Sequence, residues 1–179
     1  KKNLQDLRSK LPSLVQLQPG DGKRINQWRA SFTGFCEKAS LYTQKHHEIL
    51  IIKRTFELFP SLVLPIELRE DAGKIEEALK DKEAPISKMI SSLCELSKGS
   101  TITDYARGLV ISHCEQAKDL TNAHKLVFKQ GAKNSFPIIP LFESGESLSG
   151  AEKILTEWLD NSDNLSMVKN HWDNKLEVM

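Results

Sequence analysis

Prolines at positions 12, 19, 60, 65, 85, 137 and 140 leave three long intervals in which a helix can run unbroken, and their placement constrains the chain more than its composition does. Along much of the chain the apolar residues recur at spacings of three and four. Leu4, Leu7, Leu11 and Leu14 form a first short stripe, which Pro12 is expected to end or restart. Gln18-Pro19-Gly20-Asp21-Gly22 reads as a loop. Ile25, Trp28, Phe32, Phe35, Cys36 and Ala39 then share one face of a second helix and predict core packing there. Ser40 or Thr43 is placed to cap a third helix carrying Ile49, Ile52, Phe56 and Phe59, which Pro60 closes.

Proline is tolerated at the first helical position, where its missing N–H would be unpaired anyway. Pro65 therefore predicts a helix through Leu68, Ala72, Ile75 and Leu79. Pro85 predicts another through Ile86, Met89, Ile90, Leu93 and Leu96, stopped at Gly99. No proline falls between Thr101 and Gln130, and Ile102, Tyr105, Leu109, His113, Ala117, Leu120, His124 and Val127 read as one stripe. Unbroken, that helix would be about 40 Å long. Gly131 is expected to end it and Gly108 to be its weak point.

Phe136-Pro137-Ile138-Ile139-Pro140-Leu141-Phe142 breaks the pattern: it is too apolar to leave in water and too rich in proline for a helix interior. It predicts an extended segment pressed into a groove. Ser149 to Glu152 has capping-box spacing for a helix carrying Ile154, Leu155, Trp158 and Leu159. Ser162 or Asp163 is placed to cap a last helix with Leu165, Val168, Trp172 and Leu176, and both tryptophans fall on apolar stripes.

No stretch alternates apolar and polar residues clearly enough to propose a sheet. The expectation is an all-α fold: an irregular multi-helix bundle or short helical solenoid of about eight helices, with one long helix near 101–130. Residues 1–179 read as a single domain, a fragment of a longer protein because the chain opens on Lys1. At 179 residues a real core can be buried without covalent staples. The cysteines Cys36, Cys94 and Cys114 are odd in number and widely spaced, which argues against a disulfide framework and for an intracellular location, cytoplasmic or nuclear. The apolar runs fall short of the roughly 20 residues of a membrane span, so no membrane partner is expected.

The sequence carries no glycine-rich phosphate loop, nucleophile elbow, paired-cysteine knuckle or two-histidine metalloprotease helix. His46 and His47 are adjacent, so on a helix they point about 100° apart and do not converge on one metal. His113 reads as a hydrogen-bonded core histidine. No catalytic residue, metal or cofactor is assigned, and no enzymatic role is expected.

Charge is more informative. Residues 1–60 carry a net +6 and residues 136–179 a net −5, within a whole of +1. Lys23, Arg24, Arg29, Lys45, Lys53 and Arg54 lie on or beside the second and third helices. Together they form a candidate face for an acidic partner or phosphate. The reading drawn from these features is a non-catalytic scaffold or adaptor domain, holding an acidic partner protein or peptide in a groove. Its alternative is a nucleoprotein-like domain placing the same basic residues on nucleic acid.

Overall fold

The computed structural model describes residues 2–14, 17–42 and 46–179, the side chains of 2–4 and 46 excepted. Two compact units form, one of Lys1–Pro65 with Glu95–Tyr105 and one of Ile66–Cys94 with Ala106–Met179.

The first unit contains α1 (Lys2–Leu14), α2 (Asp21–Ser40), α3 (His46–Leu58) and a 3-10 turn (Ile102–Asp104). The stripe on α2 is largely core, as its periodicity predicts: Ile25, Trp28 and Cys36 are buried, while Phe32 and Phe35 are half-buried. Trp28 stacks on Phe32 at 5.1 Å, and Phe56 of α3 meets both rings edge-on. The Trp28 indole N–H donates to the Leu7 carbonyl (2.9 Å), fastening α1 to α2. Helix α1 runs through Pro12 rather than stopping there. Pro12 forgoes its own N–H bond to the carbonyl one turn back, but the helix ends two residues later, so the disruption stays local, and the extra turn buries Leu14. Gly20, at φ +80°, turns the chain into α2, and its N–H donates to the Glu95 carbonyl. Gly22 follows with a backbone approach so close that a Cβ would lie 2.5 Å from the Ser97 carbonyl oxygen.

The second unit overturns the all-α expectation. About 60% of the chain is helical, in eight α-helices among the described residues, but three strands form a parallel sheet in the order β1 (Ile66–Asp71), β2 (Ala106–Ser112), β3 (Ile138–Pro140). Pro65 starts no helix; β1 follows it, and only then α4 (Ala72–Ala78). The long helix at 101–130 does not exist. Its place is taken by the 3-10 turn, β2 and α6 (Ala117–Lys129).

The physical reason lies in Leu109-Val110-Ile111. All three are fully buried, and a parallel strand covered on both faces needs a continuous apolar run rather than alternation. Valine and isoleucine also favour that conformation over a helix. Gly108 lies inside β2, where a Cβ would fall 2.8 Å from the Pro137 carbonyl oxygen. It admits a neighbouring strand segment rather than a helix kink.

Other expectations hold in the second unit. Phe136 to Phe142 is extended and docked: Phe136, Ile138, Ile139 and Phe142 are buried, and the segment's centre is β3. Met179 donates to the Pro140 carbonyl and accepts from Phe142 N–H, so β3 is paired on both sides there. Pro85 opens α5 (Pro85–Leu96), and Gly131 ends α6 at φ +96°. Trp158 and Trp172, of α7 (Gly145–Leu159) and the end of α8 (Ser162–His171), are buried and stacked at 6.1 Å. Two caps shift from their expected places. Ser144, not Ser149, caps α7 through a reciprocal pair with Ser147, and Asn161 caps α8. Each leaves a longer stretch of helix to bury its stripe.

Candidate active site

In a parallel sheet every strand points the same way, so the residues just beyond the strand C-termini gather along one edge. Register places Asp71 level with Ser112, and Ile111 level with Pro140. Arg69 and Asp71 from β1, His113 one residue past β2, and Glu143 three residues past β3 therefore share that edge. Arg69 Nη2 lies 3.4 Å from Glu143 Oε2, and His113 Nδ1 lies 2.8 Å from Asp71 Oδ2. The His113 backbone N–H donates to Glu143 Oε1 (3.0 Å), and His113 Nε2 stands 3.8 Å from the same oxygen.

Asp71 does two jobs with its two oxygens. Oδ1 caps α4, accepting from the N–H groups of Gly73 (2.8 Å) and Lys74 (3.3 Å), while Oδ2 faces the imidazole. The hydrogen bond to His113 is the main influence holding the Asp71 carboxyl below its usual range, with the two backbone donors adding to it. The same bond is the main cause raising His113 above the ordinary histidine value; the charges of Glu143, Asp71 and Glu115 act in the same direction.

His113 is thus not the core histidine its position on a helical stripe implied. Its side chain is 66% exposed, and its backbone sits at φ +51°, a left-handed conformation uncommon for a residue with a Cβ. Such conformations persist where surrounding contacts enforce them, and they concentrate at functional sites. The next residue, Cys114, is buried, and burial pushes its thiol up to about 12. Both suit it to packing in the core. Asp119 accepts from the N–H groups of Glu115 and Gln116, which fixes the turn from β2 into α6.

A cleft of about 420 Å³ in this unit is lined by Glu115, Gln116, Ser144, Glu146, Lys153 and Glu157, among others. It starts at the residues that follow His113 and Glu143 in the chain. Among the described residues no group of three or more histidine, cysteine, aspartate or glutamate side chains is arranged to hold a metal ion.

The described ones among the basic residues singled out in the sequence belong to the other unit. Lys23, Arg24 and Arg29 lie on α2, Lys53 and Arg54 on α3, and Lys45 lies outside the described residues, as do the candidate cap Thr43 and the side chains of Leu4 and His46. Arg24 pairs with the buried Asp21 (2.7 Å) and donates to the Ser13 carbonyl. Arg29 reaches the Asn26 side chain (3.4 Å), and Lys53 stands 3.7 Å from Glu37. Arg54 and Lys23 are exposed.

Sequence reasoning passed over Arg69, Asp71 and Glu143. The available signal was an apolar position followed at once by charge: Leu68 then Arg69-Glu70-Asp71, and Ile138 to Phe142 then Glu143.

Comparison with known proteins gives this part of the chain a family. The family model of phosphoenolpyruvate carboxylase matches residues 62–179, which include all three strands and the four edge residues. Phosphoenolpyruvate carboxylases from two Haemophilus influenzae strains, KW20 / Rd and 86-028NP, are each 34% identical over 77 residues. That stretch is 41% of this chain and 8% of either relative, so the chain covers less than a tenth of the length of the curated relatives it matches. No solved structure matches the chain. These similarities overturn the expectation of a non-catalytic scaffold or adaptor domain and of no enzymatic role. They point instead to a fragment of a carboxylase.

Proposed function

This chain belongs to the phosphoenolpyruvate carboxylase family, and from that premise we propose that it is a fragment of such an enzyme and that its sheet edge is one wall of the site where phosphoenolpyruvate is carboxylated. The observation that carries this reading is the convergence of Arg69, Asp71, His113 and Glu143 at the C-terminal ends of three parallel strands. In α/β folds the strand C-termini are where loops open and ligands bind.

The chemistry of the residues supports it. Phosphoenolpyruvate presents a phosphate and a carboxylate, both planar-faced or multidentate acceptors that a guanidinium suits better than an ammonium does. Arg69 is about half exposed, and its 3.4 Å contact with Glu143 is a surface ion pair of small net value. An incoming anion can therefore take the guanidinium at little cost. Glu143 and Asp71 are each held by backbone N–H groups, so they stay in place while Arg69 exchanges partners.

No helix among the described residues is long and apolar enough to cross a membrane. An intracellular site of action belongs to the same proposal, supported by the odd, widely spaced cysteines. Equilibrium titration of the intact protein with phosphoenolpyruvate tests the reading. Binding weakened by on the order of 10-fold or more in Arg69→Gln supports it, a charge-assisted hydrogen bond being worth roughly 1.5–3 kcal/mol. Equal binding by the variant and the parent contradicts it.

A further inference from the structure

His113 stands at the sheet edge in a left-handed conformation that few residues with a Cβ adopt. Its φ of +51° is reached readily by glycine, tolerated by asparagine, and resisted by residues branched at Cβ. The contacts around it show what the conformation achieves. Turned this way, the His113 main-chain N–H reaches Glu143 Oε1 at 3.0 Å, across from β2 to the segment after β3. The imidazole is held on the other side by Asp71, the last residue of β1. One residue therefore ties together the ends of all three strands, by main chain toward Glu143 and by side chain toward Asp71. The Glu143 carboxylate is fixed through its Oε1, while Oε2 faces Arg69.

We propose that His113 is a positioning residue of this site, whose left-handed backbone aims its N–H at Glu143 and so sets the carboxylate against Arg69. The side chain serves to hold that backbone through Asp71. The inference rests on the reading of the edge as a carboxylase site, and it goes beyond it by assigning the geometry to a main-chain group rather than to the imidazole. A main-chain donor cannot be mutated away, but the conformation that aims it can be.

The test uses the intact protein and four substitutions at this position, His113→Gly, His113→Asn, His113→Ala and His113→Val, with Arg69→Gln and Glu143→Gln alongside. Steady-state carboxylation of phosphoenolpyruvate is measured on folded enzyme, well below each variant's melting midpoint. Glycine and asparagine accept the conformation without the ring and are expected to keep kcat within about threefold of the parent. Valine resists it and is expected to lose kcat by on the order of 100-fold with a much smaller change in KM, as a small misplacement of a reacting wall produces. Should His113→Val not fold, the comparison of glycine with alanine decides. Glycine is then expected to exceed alanine in kcat, since alanine keeps a Cβ and loses the ring's tether to Asp71.

A glycine variant as impaired as valine, or no more active than alanine, overturns the proposal and moves the role to the imidazole. So does a fully active valine variant while Arg69→Gln and Glu143→Gln are impaired. If those two control variants are as active as the parent, it is the site reading that fails, and the His113 assignment falls with it.

Discussion

His113 Nδ1 and Asp71 Oδ2 are 2.8 Å apart, joining the C-terminal ends of two neighbouring parallel strands at a point where both side chains remain partly exposed. Each favours the charged form of the other. Asp71→Asn should therefore bring the His113 imidazole down toward the ordinary histidine value, which NMR titration of the ring protons reads directly. An unchanged His113 titration would mean that Glu143 and Glu115, not Asp71, set it.

The same pair gives a pH window with opposite limbs. His113 is raised in the folded state, so its contribution is complete below the unfolded histidine value of about 6.5 and is lost as pH rises through the raised one. Asp71 is lowered, so its contribution is present above the unfolded aspartate value of about 3.9 and is lost as pH falls through the lowered one. Stability compared between parent and Asp71→Asn should differ most between those limits and converge outside them. The difference is small because the pair is solvated. Thermal midpoints across a pH series check it.

Gly108 should not tolerate a side chain. A Cβ there meets the Pro137 carbonyl oxygen at 2.8 Å and the Ile139 side chain at 2.9 Å, and a backbone atom in a strand pair cannot simply rotate away. Gly108→Ala is expected to destabilise by about 1–3 kcal/mol in denaturant titration. An unchanged midpoint would mean that β2 and β3 are not packed as described.

Phe136 and Phe32 should respond differently to truncation. Phe136 is fully buried, so Phe136→Ala is expected to cost about 3–5 kcal/mol. Phe32 is half-buried against Trp28 and Phe56, so Phe32→Ala should cost clearly less. Equal losses would place Phe32 deeper in its core than its exposure indicates.

What the sequence made legible follows from where local signals agree with tertiary ones. The Trp28 stripe, the helix start at Pro85, the stop at Gly131 and the docked segment around Ile138-Ile139 are each set by a few neighbouring residues. The sheet was not legible because its strands mimic helix. Ile102, Tyr105, Leu109 and His113 fall at spacings of three and four by coincidence, while the deciding evidence, three consecutive buried residues at Leu109-Val110-Ile111, fits a parallel strand covered on both faces. Strand β1 was harder still: in Ile66 to Asp71 only Leu68 is buried. The candidate site inherits that difficulty. Arg69, Asp71, His113 and Glu143 span 75 positions and meet only because three strands are parallel and in register, so no local motif announces them.

If this edge belongs to the carboxylation site, kcat/KM for phosphoenolpyruvate in the intact protein depends on it. The parent is expected to carboxylate phosphoenolpyruvate, and Glu143→Gln, which keeps the shape of the side chain but removes its charge, is expected to lower kcat/KM by on the order of 100-fold or more, the size expected when a preorganised charge at a reacting centre is lost. An intact protein with no such activity, or a Glu143→Gln variant as active as its parent, would contradict it.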